Sequence, residues 1–225
     1  MALLSSADQQ VLRDTLANMA GPVKVLFFTQ AIGCETCLEA RQILDELASA
    51  TDRLTIEELN PVLDRDRAAE FEIDRAPGLV LLTGEGEDSR VRFLGAPSGY
   101  DFSAFVDAVL LVSGAATQEL SAATRERLAG LTAPLEIRVF VTPTCGYCPR
   151  AVALANRLAF ASPLVTTTTV QATEFYDLAR EYRVSGVPKT VASNGNEVLG
   201  ALPEAQFVAG LLGEDAAEPA DSPEP

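Results

Sequence analysis

The chain contains no histidine and no tryptophan, and only four of its 225 residues are cysteines. Without histidine it lacks the usual general base and the commonest metal ligand, which excludes histidine-dependent hydrolysis. No stretch approaches the roughly 18 consecutive apolar residues of a membrane span. Four cysteines are also too few for a secreted disulfide scaffold, so their arrangement needs another explanation.

Basic residues are scarce as well: 17 lysines and arginines face 32 aspartates and glutamates, which gives a formal net charge of −15. Nucleic acids and anionic membranes are polyanions and would be repelled, so neither is expected as a partner. The first 20 residues have the pattern of an amphipathic helix and lack the regions of a signal peptide, so we expect a cytoplasmic protein. Residues 214–225, rich in Glu, Asp, Ala and Pro, predict a disordered acidic tail.

The four cysteines form two C-x-x-C motifs of identical spacing, Cys34–Cys37 and Cys145–Cys148. Each motif is followed by an apolar residue and a proline, Ala76-Pro77 in the first half and Val187-Pro188 in the second. The distance from the first cysteine to the proline is 43 positions in both halves. This shared register predicts that one structural unit occurs twice.

The hydrophobic periodicity predicts the same element order in each half: helix, strand, helix, strand, helix, strand, strand, helix. Short apolar runs, Val23–Thr29 and Leu135–Thr142, predict the strand before each motif, and Asn194-Gly195 predicts a tight hairpin. Strands that alternate with helices imply parallel pairing, whereas the terminal hairpins must be antiparallel. We therefore predict an α/β protein of two tandem units, 1–115 and 116–213, each a four-stranded mixed sheet flanked by helices.

The spacing of the cysteines predicts redox chemistry. The first cysteine of each motif falls where a strand passes into a helix, and the unpaired N–H groups there favour a thiolate. The second cysteine lies one helical turn on and can reach the first sulfur. We predict that Cys34 and Cys145 are nucleophiles that attack a partner's disulfide, and that Cys37 and Cys148 resolve the mixed disulfide.

The two motifs differ in the charges beside them. Arg150 follows the second motif, and a nearby cation lowers a thiol pKa. Glu35 and Glu39 lie within and beside the first motif, where like charge opposes a thiolate. We predict that Cys145 is the more acidic nucleophile and that the Cys34–Cys37 pair is more reducing or slower.

The two prolines suggest how substrates bind. A proline that precedes a strand opposite a reactive cysteine is a candidate for a cis peptide bond, which exposes the backbone groups before it. We expect Ala76-Pro77 and Val187-Pro188 to bind an extended substrate segment by strand addition. The alternative is that each proline only begins a strand.

Thr142–Pro149, with its Cys-Gly-Tyr-Cys, resembles the glutaredoxin-type active-site segment of the thioredoxin superfamily, and Ser185–Thr190 resembles its cis-proline segment. Two fused units of this kind resemble the protein disulfide oxidoreductases of thermophilic prokaryotes, over nearly the whole chain except the tail. The resemblance implies two thioredoxin-like folds that act as thiol reductase, oxidase or isomerase on protein thiols and disulfides. It also implies recharging by a thioredoxin-reductase-like flavoprotein. Thioredoxins proper carry a tryptophan before the motif and a buried aspartate on the preceding strand, and this chain has neither.

A similar twin fold forms the N-terminal module of the flavoprotein that reduces the alkyl hydroperoxide peroxidase, although the first copy there lacks its dithiol. This resemblance implies an alternative function, an electron shuttle from a flavin reductase to a peroxiredoxin. No G-x-G-x-x-G opens a helix after a strand, so we expect no bound flavin or nicotinamide and no other cofactor.

Three other interpretations are open. The two C-x-x-C pairs are also a ligand set for structural zinc, although zinc sites usually hold their pairs closer in sequence, and we expect no metal. A glutaredoxin-like fold can carry an iron–sulfur cluster, which would colour the protein brown. The repeat could also be a non-catalytic, chaperone-like binding module with vestigial thiols.

Overall fold

The computed structural model describes residues 4–115 and 119–213. The helices in this part of the chain are α1 Ser6–Leu16, α2 Cys37–Ala50, α3 Arg65–Glu70, α4 Tyr100–Val112, α5 Ala122–Ala129, α6 Cys148–Ala161, α7 Tyr176–Glu181 and α8 Glu204–Leu212. The strands are β1 Val23–Phe28, β2 Leu54–Leu59, β3 Gly78–Thr83, β4 Asp88–Leu94, β5 Leu135–Val141, β6 Val165–Gln171, β7 Lys189–Ala192 and β8 Glu197–Leu199.

The order of helices and strands is the same in both halves, which confirms the predicted tandem repeat. We call α1–α4 with β1–β4 the first copy and α5–α8 with β5–β8 the second copy. The strands before the two motifs end at Phe28 and Val141, one residue earlier than predicted. The predicted boundary at residue 116 and the predicted tail, 214–225, fall on residues outside the described part of the chain, so both stay predictions.

Each copy contains the predicted four-stranded mixed sheet. In the first copy β1 pairs in parallel with β2 and antiparallel with β3, and β3 forms an antiparallel hairpin with β4. The second copy repeats this pattern with β6, β5, β7 and β8. The parallel pairs are joined through helices and the antiparallel hairpins through short turns, as their geometry requires.

The two sheets are continuous with one another, which the sequence did not predict. Strand β4 of the first copy pairs in parallel with β6 of the second, from Val91 opposite Thr167 to Leu94 opposite Val170. The result is one eight-stranded sheet in the order β2-β1-β3-β4-β6-β5-β7-β8. We call the β4–β6 junction the seam. The seam is formed by hydrogen bonds between backbone groups, which every residue carries, so no pattern of side chains in the sequence predicts it.

Helices cover the two faces of the sheet unequally. The larger hydrophobic core includes residues of α1, α2, α4, α5, α6 and α8, whereas the smaller core on the opposite face includes residues of α3 and α7. Side chains of strand β1 point alternately to the two faces of the sheet: Val25 and Phe27 belong to the larger core, and Leu26 and Phe28 to the smaller. Both C-x-x-C helices, α2 and α6, therefore lie on the same face. No helix of the described residues is long and apolar enough to cross a membrane.

Candidate active site

Strand directions bring both cysteine motifs to the same edge of the sheet. Strand β1 is antiparallel to β3, which is antiparallel to β4, so β1 and β4 run the same way. Strands β4, β6 and β5 are mutually parallel, so β5 shares the direction of β1. A motif follows the carboxyl end of each of these two strands. With four inter-strand steps between β1 and β5, the two motifs are about 19 Å apart.

The first motif is an oxidised cystine at the start of α2. Cys34 and Cys37 form a disulfide with their Cα atoms 5.5 Å apart. Cys37 begins the helix and is 6% exposed, whereas Cys34 precedes the helix and is half-buried. A groove of about 580 Å³ borders both cysteines, and its other walls come from the ends of β1 and β2 and from Arg41 of α2, which pairs with Glu58.

The second motif repeats this arrangement at the start of α6. Cys145 and Cys148 form a disulfide, again with Cα atoms 5.5 Å apart. Cys148 begins the helix and is fully buried, and its N–H donates to the carbonyl of Cys145 at 3.2 Å. Pro149 follows, at a helix position where a missing N–H costs nothing.

In both motifs the first sulfur is the more accessible one. Cys34 and Cys145 are half-buried, whereas Cys37 and Cys148 are buried. A partner's disulfide therefore has access to the first cysteine, while the second can be reached only through the first. This geometry agrees with the predicted division into nucleophile and resolving thiol, whose roles stay predictions.

Each motif has exposed apolar side chains beside it, aliphatic at the first motif and aromatic at the second. Ile32 and Leu38 flank the first motif and are 89% and 69% exposed. Tyr147, between the cysteines of the second motif, is 68% exposed, and Tyr100 of the first copy lies beside Gly146 of that motif. Exposed aliphatic and aromatic side chains beside an accessible sulfur are suited to contact another protein.

Both predicted prolines follow cis peptide bonds, Ala76-Pro77 and Val187-Pro188. The Pro77 carbonyl accepts a hydrogen bond from the Gly95 N–H at 2.9 Å, and the Pro188 carbonyl accepts one in the same way in the second copy, at 2.8 Å. Ala76 and Val187 precede the ladders of β3 and β7, so their backbone groups are not engaged by the strand pairing of the described residues. Their predicted role in substrate binding stays a prediction.

The first copy forms one wall of the second motif, an arrangement that no sequence pattern indicated. The Tyr100 N–H donates to the carbonyl of Pro143, two residues before Cys145, at 2.9 Å. Gly99 has φ 60°, and a Cβ there would overlap the same carbonyl. Only glycine combines this backbone conformation with so close an approach.

Next to this contact lies a buried carboxyl group, Asp101, in the first turn of α4. It is completely inaccessible to solvent, and its Oδ2 accepts a hydrogen bond from Gln171 Nε2 at 2.6 Å while its Oδ1 has no partner among the described residues. Burial raises the pKa of Asp101 to about 7, although the hydrogen bond from Gln171 opposes this shift. Because α4 packs against α6, this buried acid belongs to the helix that packs against the helix of the second motif.

The structure gives no support to the zinc interpretation. All four cysteines are in disulfides, and the two pairs lie at the starts of separate helices, α2 and α6. Within residues 4–115 and 119–213, no group of three or more His, Cys, Asp or Glu side chains is placed to hold a metal ion.

The predicted difference in thiol acidity depends on three charged side chains that are all exposed: Glu35, Glu39 and Arg150.

Comparison with known proteins places this arrangement among related folds. Residues 135–213 match the thioredoxin domain family. The alkyl hydroperoxide reductase AhpF of Staphylococcus epidermidis is 28% identical over 174 residues, which is 77% of this chain and 31% of that protein. The chain thus spans about a third of the length of the curated relatives it matches.

Two solved structures have nearly the same architecture. The alkyl hydroperoxide reductase AhpF of Enterococcus faecalis superposes with a TM-score of 0.84 at 28% identity, over 92% of this chain and 99% of that one. A protein disulfide oxidoreductase from Aeropyrum pernix superposes with a TM-score of 0.83 at 29% identity, over 93% and 94% of the two chains.

Proposed function

We propose that the chain is a thiol–disulfide oxidoreductase of the thioredoxin superfamily that exchanges disulfides with other proteins through two dithiols, a proposal supported by the thioredoxin-domain match of residues 135–213 and by the two similar structures. One observation carries the proposal. Each copy holds a C-x-x-C cystine at the start of a helix, with the first sulfur accessible, and has a cis-proline directly before its third strand.

The proposed reaction transfers two electrons at each motif. In the reduced second motif, the Cys145 thiolate attacks one sulfur of the partner's disulfide, which forms a mixed disulfide and releases one partner thiolate. Cys148 then attacks the Cys145 sulfur, so that the mixed disulfide breaks, the second partner thiolate leaves and the internal cystine forms. The partner is reduced and the motif is oxidised. Cys34 and Cys37 perform the same steps in the first motif.

The attack by Cys148 requires its thiol to lose a proton. Asp101 is suited to accept it, since its pKa of about 7 lies near the working pH and its helix packs against the one that Cys148 begins. The chain lacks the aspartate that thioredoxins proper carry on the preceding strand, and we propose that Asp101 of the other copy takes its place.

Substrate binding would use the backbone before each cis-proline. Ala76 and Val187 would each offer one N–H and one C=O to an extended segment, without selecting its side chains. Such binding suits partners of varied sequence. Protein thiols and disulfides are therefore the proposed substrates.

The test is reduction of insulin disulfides, followed as turbidity in the presence of dithiothreitol. Wild type should accelerate the reaction, Cys145→Ser should lose most of the acceleration, and Cys34→Ser should lose less because Cys145 remains. Equal rates for wild type and the double variant Cys34→Ser/Cys145→Ser would leave only a non-catalytic binding module.

A second candidate is an electron shuttle between a flavoprotein reductase and a peroxiredoxin. The similarity to the alkyl hydroperoxide reductase AhpF, both in sequence and in structure, favours it. It predicts that the chain restores peroxide reduction in a mixture of pyridine nucleotide, a flavoprotein of this class that lacks its N-terminal module, and a peroxiredoxin. Unchanged peroxide consumption on addition of the chain would exclude this route while leaving the insulin reaction possible.

A further inference from the structure

A carboxylate of the second copy contacts the first C-x-x-C motif. Glu174 lies in the link between β6 and α7, and its Oε2 accepts a hydrogen bond from the hydroxyl of Thr36, which stands between Cys34 and Cys37. Its Oε1 accepts a second hydrogen bond, from the Ala96 N–H at 2.9 Å. Both donors belong to the first copy, so the carboxylate is held across the seam by both of its oxygens.

The backbone of the seam leaves room for this carboxylate. Gly95 directly follows the β4–β6 pairing and has φ 104°. A Cβ at this position would overlap the side chain of Gln171 and lie 3.1 Å from Glu174 Oε1. The position of Glu174 is therefore fixed by the strand junction and by a glycine, unlike a surface ion pair between two flexible side chains.

The contact changes how the helix behind the first motif begins. Thr36 is the N-cap residue of α2, yet its side chain makes no capping hydrogen bond, whereas Ser5 and Ser121 do cap α1 and α5. The Thr36 hydroxyl donates to Glu174 instead. In the second motif Tyr147 occupies the equivalent N-cap position. The two motifs thus differ in that the first has a carboxylate attached to the residue between its cysteines.

The residues that contact or act on Glu174 are either neutral or negatively charged. Burial raises the pKa of Glu174, as does repulsion by Glu39 of α2, while the hydrogen bonds from Thr36 and Ala96 oppose the shift. Gln171 donates both to the Ala96 carbonyl, at 3.4 Å, and to a second acid, Asp101. These contacts of Glu174 with the described residues include no cation, so its charge acts on the neighbouring thiols without a counter-ion.

We propose that Glu174 is a positioning residue of the first dithiol: by holding Thr36 it places a negative charge beside Cys34 and makes Cys34–Cys37 the more reducing of the two couples. The proposal rests on the proposed thiol–disulfide function. Reduction of the cystine takes up two electrons and yields thiols that are partly ionised. A nearby negative charge disfavours the thiolate, so it lowers the stability of the reduced form and the reduction potential.

The experiment measures the potential of the first couple alone, in a Cys145→Ser/Cys148→Ser background. The protein is equilibrated with dithiothreitol buffers of graded ratio, trapped with an alkylating agent and quantified by mass. Glu174→Gln retains an oxygen that accepts a hydrogen bond but removes the charge. At a pH above the Cys34 pKa, where the thiol is ionised, we expect its equilibrium to shift about tenfold towards the dithiol, which is about 30 mV for two electrons, and the shift should shrink at lower pH where the thiol is protonated. The pKa of the Cys34 thiol should fall by about one unit.

Matched variants separate this effect from general charge and from structure. Glu85→Gln removes the same charge in the exposed hairpin loop and should leave the equilibrium unchanged. Thr36→Ser keeps the hydroxyl and should resemble wild type. Thr36→Val removes the hydroxyl, and in that background Glu174→Gln should shift the equilibrium less than in the native one, because the two residues act as a pair.

An unchanged potential in Glu174→Gln would overturn the inference, and so would an equal shift in Glu85→Gln. A shift of the same size at Cys145–Cys148, measured in a Cys34→Ser/Cys37→Ser background, would also overturn it. Failure of both motifs to cycle between dithiol and cystine is a different result, because it refutes the proposed function itself. Urea unfolding of each variant confirms that the potentials refer to folded protein.

Discussion

Replacing the buried acid Asp101 by asparagine should stabilise the protein relative to wild type by an amount that grows as the pH rises. Asparagine has nearly the same shape and can still accept the hydrogen bond from Gln171, but it carries no charge. In the unfolded chain the carboxyl has its ordinary pKa of 3.8, and in the native state the pKa is about 7. Between these values the native state holds a proton that the unfolded state has released, so this group makes stability fall as the pH rises through that window.

The size of the effect follows from the pKa difference. Each pKa unit corresponds to about 1.36 kcal/mol, so from pH 5 to pH 7 the wild type should lose about 2–3 kcal/mol through this one group. The free energy of unfolding of Asp101→Asn minus that of wild type should therefore grow by about 2–3 kcal/mol between pH 5 and pH 8, and should level off above pH 7.

The assay is urea unfolding of the oxidised proteins at several pH values, since cysteines in disulfides do not titrate. Asp66→Asn is the matched control, because Asp66 is an exposed aspartate in the first turn of a helix. Its difference from wild type should change much less with pH. If the free energy of unfolding of Asp101→Asn minus that of wild type is constant from pH 5 to pH 8, the reasoning is refuted. In a separate assay, Asp101→Asn should also slow insulin reduction if Asp101 accepts the proton of Cys148.

Two further predictions concern the thiols and the contact of Gly99 with Pro143 of the other copy. The thiol pKa of Cys145 should lie below that of Cys34, measured by iodoacetamide alkylation across pH in variants that retain one motif each; the reverse order would contradict the charge argument. Gly99→Ala should lower the free energy of unfolding by about 2 kcal/mol or more, because it combines a positive φ with overlap of the Pro143 carbonyl. At Gly86 φ is 86° and a Cβ would meet nothing within 4 Å, so Gly86→Ala tests the effect of a positive φ alone. It should lower the free energy of unfolding by less than Gly99→Ala does.

Local sequence patterns were sufficient to predict the elements of each copy and the position of each motif after a strand. The spacing of Cys34 and Pro77, repeated by Cys145 and Pro188, revealed the duplication without any structure. Strands such as β7 and β8, and helix α8, were identifiable because each depends on apolar residues close together in the chain. The same applies to the placement of a cysteine at the start of a helix.

The residues that complete the two motifs could not be predicted, because each acts across the seam. Thr36 and Glu174 are 138 positions apart, and Tyr100 meets Gly146 only because α4 of one copy packs against α6 of the other. An isolated Asp101 in an amphipathic helix has the sequence signature of a surface residue. Its burial follows from the pairing of two strand edges, which depends on the backbone and leaves no trace in composition.

The way the copies are joined also bears on how the chain avoids joining to others. The junction uses a different edge of each copy, so it is a head-to-tail contact that does not close on itself, and β2 and β8 are left as the outer strands. Repeating it between molecules would set β8 along β2 and begin a fibre. Yet β8 has only three residues, so it offers few backbone groups to a second strand. The shortness of this outer strand thus opposes linear polymerisation.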